Sequence, residues 1–221
     1  MRKRRLRILM SSGPTREPID PVRFLSNYST GYMGARLAAE AIHRGHQVTV
    51  VSGPASEPLP PGARVIAIQE TREMEAAMAR LAKRADVLIM AAAVSDFRPV
   101  QLRSKKLPRR SRLTVTLEAT PDIVARLPRR DRQLVVGFAL ETDHVLARAK
   151  RKLRLKRLAL LLAQRVNGTG SPFGRSPVEA WLLGLGQPVI RLGRISKAQI
   201  ARVLLDKVEG LWYGQQGFRH T

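Results

Sequence analysis

The sequence contains no cysteine, which excludes a disulfide scaffold, a thiolate zinc site and a cysteine nucleophile supplied by the chain itself. Aromatic side chains make up only 5%, too few for the stacking platforms on which single-stranded nucleic acids are held. Acidic residues are scarce beside basic ones, 17 against 40, which leaves a formal net charge of +23. No apolar run approaches the roughly 20 residues that span a bilayer. The basic start from Met1 to Arg7 is not followed by an apolar stretch of signal-peptide length. The cytoplasm is therefore the expected compartment, with no membrane partner. GxGxxG and GKS/T are both missing, so neither the dinucleotide fingerprint nor a Walker loop is available. The histidines, His43, His46, His144 and His220, have no carboxylate or serine spacing that suggests a triad or a metal cluster. No protein metal site is expected.

What is present suffices for a folded core. Hydrophobic residues are 44% of 221, which fits a single α/β domain over 1–221, with a basic tail at 1–6 and a C-terminal tail at 211–221. Clustered Lys and Arg displace counterions from phosphate backbones, so nucleic acid is the first partner such a charge brings to mind. The basic residues are dispersed, however, as at Arg129, Arg130, Arg148 and Arg154, and only 1–7 and 103–112 are dense. Dispersal and the few aromatics argue against nucleic acid as the main partner. Anionic small substrates account for part of the charge equally well.

Short apolar runs alternate with longer amphipathic stretches, the pattern of βαβ units around a parallel sheet. Strands are expected at 7–12, 47–52, 64–69, 86–94, 113–118, 134–138, 158–163 and 178–183. Helices are expected at 32–44, at 71–84 with Thr71 as N-cap, at 121–127, at 143–156, and from Ser196 as N-cap to about Val208. The basic, proline-containing stretch 98–112 reads as a mobile surface loop.

In such a sheet, ligands bind beyond the carboxyl ends of the strands, and four segments lie there. Ser11 to Gly31 is rich in small hydroxyl residues and glycine and ends at a helix start, where Ser29 or Thr30 either caps the helix or helps hold an anion. Ala91 to Pro99 puts small residues at a strand end, with Asp96 able to accept from an amine or a ribose hydroxyl. Thr120 to Val124 opens a helix. Val136 to Thr142 offers Gly137 for close approach and Phe138 as either a base platform or a core residue. Lys152 and Lys156, spaced i and i+4, share one helix face and suit a polyphosphate or a solvated surface.

Taken together and in this order, GPTREPIDPVRFLSNYSTGYMG (13–34), AAAVSDFRP (91–99), TPDIV (120–124) and VGFALET (136–142) resemble the phosphopantothenate–cysteine ligase family. The likeness runs from about Arg7 to Val208 and is to the free-standing form. It implies a Rossmann-like three-layer α/β fold with a mostly parallel central sheet, a basic flap at 98–112, and a homodimer. It also implies a two-step reaction in which the carboxylate of 4′-phosphopantothenate is activated by CTP, with ATP as the alternative. Mg²⁺ accompanies the nucleotide, and the amine of cysteine then displaces CMP. A separate flavin-dependent decarboxylase is an implied partner. By motif, Asn27 and Lys106 are the implied catalytic residues. Met90, Ala91, Ala92, Asp96, Lys106, Pro121, Asp122, Ile123, Val124, Phe138, Lys152 and Lys156 would bind nucleotide, while Gly13, Ser29, Thr30, Gly31 and Ala92 would bind substrate or intermediate.

The sequence departs from the family pattern in places. The flap reads Lys106-Leu107-Pro108-Arg109 in place of Lys-Ile-Lys-Lys. Tyr32 stands where a lysine is common, and Thr120 stands for asparagine. The run containing Ala159 and Gln164 lacks the usual Asp and Asn. A non-catalytic nucleotide-binding paralogue is the alternative these departures raise; retention of Asn27, Asp96, Lys106, Lys152 and Lys156 argues against it.

Overall fold

Apolar runs become strands and amphipathic stretches become helices in the computed structural model, which describes residues 4–166 and 172–217. The first half of the chain forms β1 (Arg7–Ser12), β2 (Arg16–Pro18), β3 (Phe24–Ser26), α1 (Tyr32–His43), β4 (Gln47–Ser52), β5 (Arg64–Ala67), α2 (Thr71–Ala82), β6 (Val87–Met90) and β7 (Phe97–Pro99). The second half forms β8 (Leu117–Ala119), α3 (Ile123–Arg126), β9 (Leu134–Glu141), α4 (Val145–Leu155), β10 (Leu160–Arg165), β11 (Val178–Gly184), β12 (Ile190–Ile195) and α5 (Lys197–Gly217).

The main sheet has the order β12-β11-β10-β9-β6-β1-β4-β5. Strands β10 to β5 in that order are parallel, and β11 and β12 extend the sheet antiparallel. Helices α1 and α5 cover one face, where Leu37, Ala38, Leu204 and Leu205 are buried against the strands. On the opposite face α2 and α4 supply Met74, Met78, Ala149 and Leu153. This is the three-layer Rossmann-like arrangement. All of β6 is buried, as its unbroken apolar sequence requires in a sheet covered on both sides. Each large apolar side chain so buried contributes about 1.5–3 kcal/mol.

The topology also fixes where a ligand can sit. From β1 the chain builds outward through β4 and β5, then returns to the other flank of β1 with β6. The strand order reverses between β1 and β6, and the crevice beyond their carboxyl ends is the natural binding place.

Several elements differ from expectation. Glu70, not Thr71, caps α2, in a reciprocal capping box with Glu73. Only Leu117 and Glu118 of the alternating 113–118 run enter a strand, which continues to Ala119, because Phe97–Pro99 is its partner strand. Helix α3 is one turn rather than 121–127, since Leu127 precedes Pro128 and is extended at φ −61°, ψ 129°. Strand β12 went unread because a bulge at Ala180/Trp181 and Gly193 at φ 68° break its alternation. Ser196 does accept from the Gln199 N–H at the start of α5. That helix runs past Val208 to Gly217 because Trp212, 8% exposed, continues the buried 204–208 stripe. Nor do residues 4–6 form a free tail: Leu6 is fully buried, and the Tyr213 hydroxyl donates to the Arg4 carbonyl at 2.6 Å. The rest of both expected tails, including His220, lies outside the described residues.

Candidate active site

A cavity of about 490 Å³ occupies the crevice at the strand-order reversal. Ser11 comes to it from β1, Met90 to Val94 from the end of β6, Gly137 to Leu140 from β9, and Gln164 from β10. Asn27 and Ser29 to Met33 close one side, and Asp96 and Thr120 to Val124 another. The sequence-based residues thus converge, with two exceptions. Gly13 lies behind the wall, where its carbonyl accepts from the Ala93 N–H at 2.9 Å. Lys106 does not line the cavity.

The Gly13–Gly34 stretch is a folded scaffold rather than an open loop. Strands β2 and β3 make a hairpin inside it. The Thr15 hydroxyl meets the Thr71 hydroxyl at 3.0 Å and accepts from the Ser95 N–H at 2.9 Å. Buried Glu17 accepts from both the N–H and the hydroxyl of Thr71. These bonds tie the first segment to the one after β6. Asn27 is held the same way, its Nδ2 donating to the Ala93 carbonyl at 2.9 Å; its side-chain oxygen has no partner among the described residues.

At the start of α1, Gly31 takes φ 80° and stands 2.6 Å from Ala55 Cβ by way of any added Cβ, so only glycine fits. Ser29 and Thr30 hydroxyls accept from the Gly31 and Tyr32 N–H groups, each at 3.3 Å. The next first-turn amides have no carbonyl partner within the helix and open onto a cavity suited to an anion.

A basic wall of the cavity is built on α4 and the residue after it. Lys152 Nζ donates to the Phe138 carbonyl at 2.7 Å, which fixes both residues. Burial first, then repulsion from Lys156, lowers the Lys152 pKa from its ordinary value, so an anion placed there recovers favourable charge pairing. Lys156 pairs with Asp122 at 3.0 Å, and Asp122 also accepts from the Ala125 N–H as the cap of α3. Burial opposes ionisation of Asp122, but Lys156 and the Ala125 N–H outweigh it and hold the carboxyl below its ordinary range. Thr120, in place of asparagine, donates to the Ser95 carbonyl and its N–H bonds the Asp96 carbonyl. It staples the Asp96 segment to the start of α3.

Two contributors were not read from the sequence. Lys197, 3% exposed, lines the cavity, and its ammonium donates to the carbonyls of Pro172, Gly174 and Ser176. It thereby holds the Pro172–Gly174 wall, and burial lowers its pKa. The Arg175 guanidinium lies 5.7 Å from the centroid of the Tyr32 ring and is paired with Glu57. The position lacking the common lysine therefore carries an arginine on its aromatic face. No motif could signal Lys197 or Arg175, because both act through backbone or ring contacts set by tertiary packing.

The flap stretch is exposed and fastened away from the cavity. Leu107 N–H donates to buried Asp20 at 3.1 Å, and the Arg23 guanidinium donates to the Leu107 carbonyl at 2.9 Å. In this conformation Lys106, an implied catalytic and nucleotide-binding residue, lies outside the cavity lining.

The model of the DNA/pantothenate metabolism flavoprotein C-terminal domain family matches residues 3–211. The chain belongs to this family. It is 39% identical over 209 residues to the coenzyme A biosynthesis bifunctional protein CoaBC of Vibrio vulnificus strain CMCP6, covering 92% of this chain and 52% of that protein. The Escherichia coli K12 CoaBC is 37% identical over 210 residues, covering 92% and 51%. A cysteine/cysteine sulfinic acid decarboxylase from an unknown prokaryotic organism is 36% identical over 206 residues, covering 91% and 57%. The chain spans about half the length of these curated relatives. Among solved structures, the C-terminal domain of a CoaBC superposes with TM-score 0.81 at 33% identity, over 95% of this chain and 96% of that one. A Cab2 mutant in complex with phosphopantothenate-cysteine shares the fold, at TM-score 0.74 and 17% identity over 95% of this chain and 88% of that one.

Proposed function

We propose that the chain is a phosphopantothenate–cysteine ligase working in coenzyme A biosynthesis. The observation that carries this reading is the convergence of Asn27, the α1 start, Asp96, Asp122, Lys152 and Lys156 on one cavity at the strand-order reversal, in a chain that has coenzyme A biosynthesis proteins among its relatives. In the first step a carboxylate oxygen of 4′-phosphopantothenate attacks the α-phosphorus of CTP; the bond to pyrophosphate breaks and an acyl-cytidylate forms. In the second, the amine of cysteine attacks the acyl carbon, the C–O bond to CMP breaks, and an amide forms with loss of a proton. Both steps gain mainly from positioning and charge stabilisation. Lys152 and Lys156 would hold the phosphates, the α1 amides and Asn27 the acyl-phosphate oxygens, and Phe138 the base. Mg²⁺ entering with the triphosphate would supply neutralisation of phosphate charge, and Asp96 and Asp122 are the carboxylates the cavity offers it.

A homodimer is supported by apolar side chains left open on the two hairpins. Val22, Phe24, Phe97 and Val100 are 59%, 47%, 51% and 50% exposed, and β2 lies against β7. Gathered apolar exposure of this kind marks an interface. No helix among the described residues is long and apolar enough to cross a membrane. A cytoplasmic location is part of the proposal, and its support is the proposed substrate set. The product is the substrate class of a separate flavin-dependent decarboxylase.

The test is pyrophosphate and CMP release from CTP, Mg²⁺, phosphopantothenate and cysteine, with ATP run in parallel. Absence of turnover with either nucleotide removes the ligase reading. CO₂ release from cysteine alone would instead favour a decarboxylase.

A further inference from the structure

A second cleft opens at the other end of the sheet, beside the residues that precede β1, β6 and β9. It encloses about 200 Å³ and is lined by Arg4, Arg7, Arg130 and Arg132, by Asp86 and Asp131, and by Trp212. Four guanidiniums therefore face two carboxylates. Asp86, 2% exposed, lies 3.0 Å from Arg7, 3.5 Å from Arg4 and 3.8 Å from Arg130. One negative charge is shared among three cations, and Arg132 has no ion-pair partner among the described residues. The indole N–H of Trp212 is buried and has no acceptor among them either.

We propose that this cleft binds a compact multivalent oxyanion, a phosphate or diphosphate group. An ion-pair network that merely fastens the starts of β1, β6 and β9 explains the contacts of Asp86. It does not explain the surplus cations, the unpaired Arg132 or the orphaned indole N–H. Guanidinium and indole groups only donate hydrogen bonds, so the missing partner is an acceptor and carries negative charge. Only the indole N–H is both buried and unmet, and such a donor is costly and calls for a partner. Arg4, Arg7 and Arg130 keep 56%, 45% and 43% of their side chains open to solvent, so they can turn onto an entering anion. The volume exceeds that of a water and falls short of the roughly 300 Å³ at which sites for larger ligands begin. Exposed Arg5, Lys83, Arg84 and Arg129 belong to the same end of the sheet and add to a field that draws anions in. The proposal does not rest on the ligase reading, because the strands between the two sites are parallel and this cleft faces away from the cavity described above.

Trp212 reports on the cleft directly. The sequence has two tryptophans, so Trp181→Phe leaves Trp212 as the single emitter. Sodium diphosphate, phosphate and glycerol phosphate are titrated in turn, with chloride balancing ionic strength. The expected result is a saturable change in Trp212 emission, weakened about tenfold or more in Arg4→Ala/Arg132→Ala, since charge-assisted bonds of about 1.5 kcal/mol or more are removed. Lys152→Ala should leave it unchanged. Saturation by diphosphate or phosphate assigns a free anion, and saturation by the monoester alone assigns a phosphorylated metabolite. Should Trp181→Phe not fold, calorimetry on the wild type and on Arg4→Ala/Arg132→Ala reads the same difference. No response, a response equal to that with chloride, or one lost in Lys152→Ala but kept in the arginine variant overturns the proposal.

Discussion

Gly34→Ala tests how closely the first strand must approach the first helix. A Cβ on Gly34 would stand 2.1 Å from Ser12 Oγ and 2.6 Å from Ser12 Cβ. Ordinary carbon contacts need about 3.5–4.0 Å, so the two backbones must part by about 1 Å. Rotation of the Ser12 hydroxyl relieves the first overlap but not the second. Parting is resisted because Leu37, Ala38 and Ala41 of α1 are fully buried and Ser12 is 1% exposed. Overpacking of this kind costs about 1–3 kcal/mol, offset by up to about 1 kcal/mol of helix propensity. The expected net loss is about 1–2 kcal/mol, read as a lower urea midpoint with unchanged slope. Turnover should fall further than stability, because the first turn of α1 lines the cavity and a misplacement of about 1 Å can cost about 100-fold. Ser12→Gly in the same chain removes the obstructing atoms and should return most of both losses. A Gly34→Ala protein within about 0.5 kcal/mol of wild type and fully active would refute this account.

Lys152→Met should raise the KM for the nucleotide by about tenfold or more while the protein stays folded, since one charge-assisted phosphate contact is lost; an unchanged KM removes Lys152 from the phosphate wall. Lys106→Gln should lower turnover sharply without moving Tm, and wild-type kinetics would remove its catalytic assignment. Asp86→Asn should lower stability at pH 7 by about 2–3 kcal/mol, because a buried, hydrogen-bonded charge is withdrawn from its arginines. Desolvation alone would raise the Asp86 pKa, but Arg7 and Arg4 lower it below its ordinary value. The contribution is therefore complete above the unfolded carboxyl value near about 4 and is lost as pH falls through the folded value. Urea midpoints of wild type and Asp86→Asn should converge in acid, and curves that stay parallel would contradict the ion-pair account.

Much of the architecture was legible because it rests on local pattern. The apolar run expected as a strand over 86–94 does hold one buried on both faces, but only at Val87–Met90, because 91–94 leave the sheet to line the cavity. The stripe Met33–Leu37–Ala41 could only be one face of a helix. The misses fall where a non-local partner decides the outcome. Strand β8 is limited to the residues opposite Phe97–Pro99, β12 is hidden by a bulge, and α5 is lengthened by the packing of Trp212. The site followed the same division. Motif residues at strand ends converged because topology brings those ends together. Lys197 and Arg175 stayed invisible because their work is done on carbonyls and on an aromatic face.

Lys106 shows what a motif cannot specify. Its residue type and position match a flap that acts on the reacting groups, yet its neighbour Leu107 is bonded on both sides, to Asp20 and to Arg23. Asp20 is itself held, accepting from the Val22 and Arg23 N–H groups at 2.8 Å each, so it cannot follow the flap. Bringing Lys106 to the cavity must therefore break both Leu107 bonds, each worth about 1.5–3 kcal/mol as a bond to a charged group. Substrate phosphates have to return at least that much through Lys106 and its neighbours. Two of those neighbours, Pro108 and Arg109, differ from the family pattern. The substitution of a neutral, rigid residue at 108 removes one cation that would repay the closure, while leaving the open position as firmly tied. On the proposed ligase reading, this balance makes closure of the flap depend on bound nucleotide. Asp20→Ala, which loosens the open position, should then raise turnover at low nucleotide concentration more than at saturation. An equal effect at both concentrations would show that the tether plays no part in closure.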